Sequence, residues 1–345
     1  MNALVLAAPS RLEWEDNYPS PVPQADEVLI RVRACGICGS DIHGWDGSSG
    51  RRQTPLIMGH EAAGEIATLG ANVTGWSVGD RVTFDSTVFC GDCPACRNGQ
   101  VNLCVDRRVV GVSPGTYKQH GAFAEYVALP ARILHRLPES LSYEHAAMVE
   151  PVSIALHAVD RAVPKSSDIA VVVGSGMIGL LVIQSLRVRG VKNIIAIDRE
   201  RSRLDAAKDL GATQTVLSEG PETAKRILEL TQGNGADVVF EVVGINPTVS
   251  LAVDAARLGG TLVLVGNLAP TVEISLQKIV TRELSVLGSC GSAGEYPESL
   301  DLIAREAIKV APMISATAPL SEGAAWFERL SAPDGGRYLK VVLQP

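Results

Sequence analysis

Two rhythms of apolar residues divide the chain. Up to about residue 150, apolar positions alternate with polar ones in short runs broken by Gly and Pro. Residues 27–34 are a clear period-2 strand, and residues 63–67, 78–82 and 121–127 repeat the style. The apolar start, residues 1–9, reads as a first strand. It is too short for a secretion signal and lacks the basic residues that begin one. Short strands with frequent glycine predict a small β-barrel-like catalytic domain. Residues 143–148 and 154–162 read as helices, with Glu150-Pro151 between them and a helix break expected near there.

From Asp168 the rhythm changes. Residues 169–173 are a continuous apolar run, as in a strand buried on both faces. Gly174-Ser175-Gly176-Met177-Ile178-Gly179 follows at once, then a helix to about Arg189. A second apolar strand at 193–197 ends in Asp198. Further strands are predicted at 214–217, 237–241, 261–265 and 284–287, with helices at 201–210, 222–232 and 247–257. Six such strands make a doubly wound α/β parallel sheet. A helix at 297–309 and a strand at 338–343 close the chain, and this last piece is expected to return to the first domain. The expected division is 1–152, 153–290 and 291–345.

Composition narrows the class. At 345 residues the chain is long for one core. Its 46% hydrophobic and 20% charged content suits a globular enzyme. A net charge of −7 without a basic cluster argues against nucleic acid and anionic membrane. No apolar run approaches the roughly 20 residues of a membrane span. A soluble, cytoplasmic protein is expected.

The chemistry concentrates in three stretches. Cys35-Gly36-Ile37-Cys38-Gly39-Ser40-Asp41-Ile42-His43 and Gly59-His60-Glu61 together supply thiol, imidazole and carboxylate, the donor types that zinc accepts. Cys90, Cys93, Cys96 and Cys104 have the spacing of a closed four-thiolate zinc site, whose role is structural because no coordination position stays open. The Gly174/Gly176/Gly179 loop between strand and helix is a dinucleotide fingerprint. Asp198, nineteen residues beyond Gly179, is placed to grip the adenosine ribose. Glu150, at the expected helix break, is a candidate metal or water partner; a helix-capping or salt-bridging carboxylate is the plainer alternative. His120 is either a site-lining residue or a surface-loop one.

Taken together, these motifs resemble the zinc-dependent medium-chain dehydrogenase/reductase family over the whole chain. Glu150-Pro151 resembles its polyol branch, which includes sorbitol, galactitol-phosphate and threonine dehydrogenases. The resemblance implies a GroES-like β-barrel catalytic domain, with a zinc lobe at 90–104, and a Rossmann domain. It implies two zincs per chain, and NAD taking hydride from a secondary hydroxyl of a polyol to give a ketose. Cys38 and His60 would be fixed ligands of the catalytic zinc, with Glu61 or Glu150 in the remaining position and Asp41 behind His60. Zinc would favour loss of the hydroxyl proton, with Ser40 and His43 as its relay. Val265-Gly266-Asn267 and Ser289-Cys290 match positions that line the nicotinamide. Asp198 favours NAD over NADP, while Arg199 and Arg203 pull the other way.

Two departures bear on the substrate. Gly44 stands where sorbitol dehydrogenases commonly carry tyrosine, and residues 288–292 lack an arginine that would hold sugar hydroxyls. Both changes are expected to widen or reshape the pocket. Threonine, a simple diol or another secondary alcohol is the alternative substrate, and a cofactor-binding regulatory protein without turnover is the non-enzymatic alternative. A homodimer or homotetramer is expected.

Overall fold

The computed structural model describes residues 1–112, 119–220 and 222–345. The chain divides into two compact units. One comprises residues 1–150, 293–306 and 310–345, and the other residues 151–292 and 307–309.

The first unit is organised around the ten-residue strand Glu27–Gly36, whose alternating burial follows its alternating sequence. It pairs antiparallel with Glu61–Leu69, with Tyr126–Pro130 and with Lys340–Gln344. Arg81–Phe84 and Leu134–Arg136 extend this seven-stranded sheet on one side, and Ile314–Pro319, parallel to Lys340–Gln344, extends it on the other. A second sheet joins Arg11–Glu15, Ala3–Ala8 and Leu56–Ile57. Leu4, Leu6, Ile30, Ile66, Phe84, Phe123 and Phe327 fill one core beneath them. Phe327 meets Trp45 and Phe123 edge to face, at centroid distances of 6.1 and 5.9 Å. Phe123 and Phe327 are fully buried, and each stabilises the fold by roughly 1.5–3 kcal/mol.

The second unit is a parallel sheet in the order Gln214–Leu217, Asn193–Asp198, Ile169–Val173, Ala236–Glu241, Ala256–Leu264, Ser285–Gly288. Helices Met177–Val188, Arg201–Asp209, Glu222–Leu230 and Asn246–Ala255 alternate with the strands. All six expected strands are present, and the strand order reverses at Ile169–Val173.

Some local expectations are corrected. Residues 78–79 are not strand: Val78 is exposed, and the Ser77 amide donates to the Asp80 carboxylate at 2.8 Å in a turn. Residues 121–125 precede the strand, and Gly121, Ala122 and Phe123 instead donate their amides to the carbonyls of Ile57, Gly59 and Met58. Pro151 does not break a helix. It lies in the first turn of Val149–Ala162, where a missing N–H costs nothing, and the break falls before Val149, after the short helix Tyr143–Ala146. The late helix stops at Ala304, with Glu306 at a φ of 56° just beyond it. Helix Leu276–Thr281 was not anticipated, because it is short and leaves Leu276 and Val280 exposed. Among the described residues no helix is long and apolar enough to cross a membrane.

His135 stacks on the buried ring of Tyr296 at 5.0 Å, and burial pushes its pKa down to about 4. An unfolded histidine titrates near 6.5, so between these values the unfolded chain binds more protons than the folded one. The stability tied to this group is present above about pH 6.5 and is lost as the pH falls towards 4. His135→Phe keeps the stack and removes the titration. Urea unfolding should therefore show the variant gaining on wild type as the pH drops from 6.5 to 4.5, whereas a pH-independent difference would contradict this account.

Candidate functional site

Three strands deliver one cluster. Gly36 and Glu61 are register partners, as are Gly36 and Val342. Cys38 therefore leaves one strand where His60 and Glu61 enter the next, and Lys340 begins the third. A Cβ at position 36 would press on the Glu61 carboxylate and displace it from its contact with Lys340, so glycine leaves this approach undisturbed. The ligand atoms of Cys38, His60 and Glu61 lie within 4.8 Å of one another. Cys38 is also the N-cap of helix Gly39–Trp45. Its sulfur accepts from the Ser40 amide at 3.5 Å, and the Asp41 carboxylate accepts from the Cys38 amide at 3.1 Å. Thiolate, imidazole and carboxylate drawn together in a buried site fit zinc in type and number, with a fourth position left for a substrate oxygen.

Charged partners surround the cluster. Nδ1 of His60 sits 3.4 Å from Oδ1 of Asp41, an ion-pair separation outside hydrogen-bond geometry, and this leaves the other ring nitrogen for a metal. Burial opposes the imidazolium, but the Asp41 charge outweighs it and holds the His60 pKa well above the ordinary value. Burial also opposes ionisation of Asp41, yet His60 and Arg52 keep its pKa low. The Lys340 ammonium donates to Oε2 of Glu61 at 2.5 Å and to the Ile37 carbonyl at 3.1 Å. Lys340 is raised despite its burial, chiefly by the Glu61 charge.

Glu150 lies outside that ligand trio. Its Oε1 accepts from the Ser86 hydroxyl at 3.2 Å, while the Ser86 amide donates to the hydroxyl of Tyr296 at 3.2 Å. Burial lifts its pKa to about 7, and the nearby charge of Glu61 adds to the rise while His60 opposes it. Ser40 and His43 lie one turn apart on helix Gly39–Trp45. Among the described residues no hydrogen bond joins their side chains. His43, 42% exposed, has its Nδ1 3.9 Å from Asp46 and 3.5 Å from the Ser48 hydroxyl. His120 accepts from the Ile57 amide at 3.1 Å and meets the Tyr18 hydroxyl at 3.3 Å.

The sulfurs of Cys90, Cys93, Cys96 and Cys104 form a second cluster, all within 4.8 Å of one another; Cys90–Cys104 and Cys93–Cys96 are 3.5 Å apart and Cys90–Cys96 3.9 Å, far longer than a disulfide bond. The short helix Pro94–Arg97 and the 3₁₀ turn Val101–Leu103 fold the segment back on itself. The amides of Asp92 and Cys93 point at the Cys90 sulfur and draw its pKa below the thiol value. Four convergent sulfurs without a disulfide fit a tetrahedral zinc.

In the second unit the chemistry gathers at the carboxyl ends of the parallel strands. Gly174 follows Ile169–Val173, and a Cβ at Gly179 would strike the Gly174 carbonyl, so the helix can pack this close only with glycine there. Gly176 caps helix Met177–Val188, with Ile178 in its first turn. Asp198, ending its strand, accepts from the Ser175 amide at 2.7 Å and from the Glu200 amide at 3.0 Å, and Nη1 of Arg203 lies 3.7 Å away. Asp198 thus braces the glycine loop, and its spare lone pairs remain for a ribose. Val265 and Gly266 donate to the Glu241 carbonyl, Asn267 follows them, and Ser289 donates to the Leu264 carbonyl with Cys290 next to it. This crevice at the reversal of strand order is the place where such sheets bind dinucleotides.

The descriptions "Alcohol dehydrogenase GroES-like domain" and "Zinc-binding dehydrogenase" match residues 24–139 and 178–305. D-arabitol-phosphate dehydrogenase of Enterococcus avium is 36% identical, over 94% of this chain and 92% of that protein. The chain belongs to the zinc-dependent medium-chain dehydrogenases. Sorbitol dehydrogenase of Bacillus subtilis is 33% identical, over 96% and 93% of the two chains. Among solved structures, an Escherichia coli alcohol dehydrogenase with NADH covers 100% of this chain and 99% of its own, at TM-score 0.92 and 30% identity. A Sinorhizobium meliloti zinc-binding dehydrogenase with NADP does so at 0.89 and 33%. The GroES-like and Rossmann folds follow from this membership.

Four residues of this dehydrogenase escaped the sequence reading. Lys340 carried one signal, a charge at the head of the apolar run Val341–Leu343. Arg52 and Tyr296 carried none. Glu241 is fully buried and accepts from the amides of Val243 and Gly244 at 3.0 and 2.9 Å, shaping the loop against the glycine turn. In Cys104→Ser the four-sulfur lobe should lose its metal. Metal analysis is expected to show one fewer zinc per chain and thermal unfolding a lower midpoint, and an unchanged zinc count would exclude the lobe as a zinc site.

Proposed function

We propose that this chain is a zinc-dependent dehydrogenase that oxidises a secondary hydroxyl of a polyol, passing the hydride to NAD and giving a ketose. The observation that carries the metal half is the convergence of the half-buried Cys38 with the buried His60 and Glu61. The polyol class rests on the relatives named for arabitol phosphate and sorbitol, with galactitol-1-phosphate dehydrogenase of Escherichia coli as a structural neighbour at TM-score 0.90 and 27% identity.

Bound zinc supplies Lewis-acid polarisation of the hydroxyl, and the nicotinamide supplies the hydride acceptor. Cys38, His60 and Glu61 hold the ion, and Asp41 orients the His60 ring. Lys340 steadies the Glu61 carboxylate, and Glu150, anchored on Ser86, completes the polar wall. Ser40 takes the hydroxyl proton, and His43, which is open to solvent, releases it to bulk water, with a bridging hydroxyl or water between the two side chains because no hydrogen bond joins them directly. Cys90, Cys93, Cys96 and Cys104 hold the structural zinc.

At the dinucleotide site Asp198 binds the ribose hydroxyls and repels a 2′-phosphate. Arg203 stands beside Asp198, which offsets its charge and supports NAD over NADP. The edge strand Ser285–Gly288 and the exposed Leu258, Leu276 and Val280 support a homodimer or homotetramer. Seven cysteines without a disulfide among the described residues support a reducing, cytoplasmic setting.

Purified protein should carry two zincs per chain. A panel of polyols, polyol phosphates, threonine and diols, each with NAD and NADP and followed at the NADH absorbance, should give turnover with a polyol and NAD. Cys38→Ala should abolish that turnover while NADH still binds. Full activity of this variant, or inertness of the two-zinc protein towards every secondary alcohol, would overturn the reading.

A further inference from the structure

Gly44 is buried within helix Gly39–Trp45. A Cβ built on it would lie 2.7 Å from Nε and 2.8 Å from Cγ of Arg52, so the arginine occupies the space that any side chain at position 44 would need. This glycine was expected to widen or reshape the pocket, and the space it leaves is filled by the Arg52 side chain. The Arg52 side chain is only 4% exposed. Its Nη2 donates to the Ser40 carbonyl at 3.2 Å and lies 3.4 Å from Oδ1 of Asp41.

That same Oδ1 is 3.4 Å from Nδ1 of His60, and Oδ2 accepts from the Cys38 amide. One fully buried carboxylate therefore links the guanidinium to the ring of one metal ligand and to the backbone of another. Arg52 is poorly suited to a purely packing role. Its Nε is buried without a partner, a cost that an apolar chain of equal length would avoid. The planar guanidinium, bonded at the same time to the Ser40 carbonyl, restrains the Asp41 carboxylate from turning away from His60. Lys340 stands to Glu61 as Arg52 stands to Asp41, so each of these two buried carboxylates has its own cation.

We infer that Arg52 is a positioning residue for the catalytic metal: through Asp41 it fixes the His60 ring, and the absent side chain at Gly44 is what admits it. The inference rests on the reading that Cys38, His60 and Glu61 hold zinc. Partners behind a metal ligand typically affect metal affinity or activity by 10–100-fold, and Arg52 acts one step further out.

The test compares holoenzymes in a metallochromic chelator competition, with the four-cysteine zinc as internal reference. Arg52→Met should release one zinc about tenfold more readily, with the other zinc and NADH affinity unchanged and kcat lowered. Arg52→Lys should fall between this variant and wild type. Gly44→Ala keeps the arginine but displaces it, so it should loosen the same zinc, and combining it with Arg52→Met should add little. Unchanged zinc release in Arg52→Met, or fully additive losses in the double variant, would overturn the inference. Should Arg52→Met fail to fold, Gly44→Ala decides alone, and wild-type zinc release in that variant rejects the proposal. Wild-type protein holding a single zinc would instead overturn the underlying metal reading.

Discussion

Strand Glu27–Gly36 is shared between Glu61–Leu69 and Lys340–Gln344, and the register of those two pairings is the constraint on which the metal cluster depends. Because Gly36 faces both Glu61 and Val342, the thiol of Cys38, the ring of His60 and the ammonium of Lys340 arrive at one point from three parts of the chain. A slip of one residue in either ladder would turn the alternating side chains to the opposite face. The buried apolar alternation of Glu27–Gly36 resists such a slip, so the same residues that make the core also fix where the ligands meet.

Around that point the protein buries more charge than a core ordinarily tolerates. Asp41, Glu61, Lys340 and Arg52 are all nearly inaccessible, and each sits beside an opposite charge. Removing one partner of such a pair leaves the other uncompensated, which is far costlier than never having built the pair. The dinucleotide unit follows a different logic. There, buried carboxylates are satisfied by backbone amides: Asp198 by Ser175 and Glu200, Glu241 by Val243 and Gly244. These side chains set loop shape at the ends of the strands, and the strands themselves need only be apolar.

This difference explains what could be read in advance. The parallel sheet was legible because its central strand Ile169–Val173 is a continuous apolar run, the other strands carry apolar stretches between helices, and the glycine loop stands between strand and helix, a local signal. The two sets of metal-binding residue types were legible because Cys38, the His60-Glu61 pair and the four closely spaced cysteines are recognisable over short stretches. Arg52, Lys340 and Glu241 were not, since their meaning comes from neighbours remote in sequence or from amides that any residue possesses. Pro151 misled for a related reason: proline forbids a helix interior but not a first turn, and the chain uses the permitted position.

Lys340 is separated from its partner Glu61 by 279 residues, and the whole parallel sheet is encoded between them. A ribosome making this protein must therefore emit Cys38, His60 and Glu61 long before the cation that steadies them exists. Until the late strand inserts, the emerging barrel has an open edge beside Glu27–Gly36 and an unbalanced acidic pocket. Metal arriving during synthesis would meet an unfinished vessel, so completion of the ion's seat is deferred until the Lys340–Gln344 strand has been made.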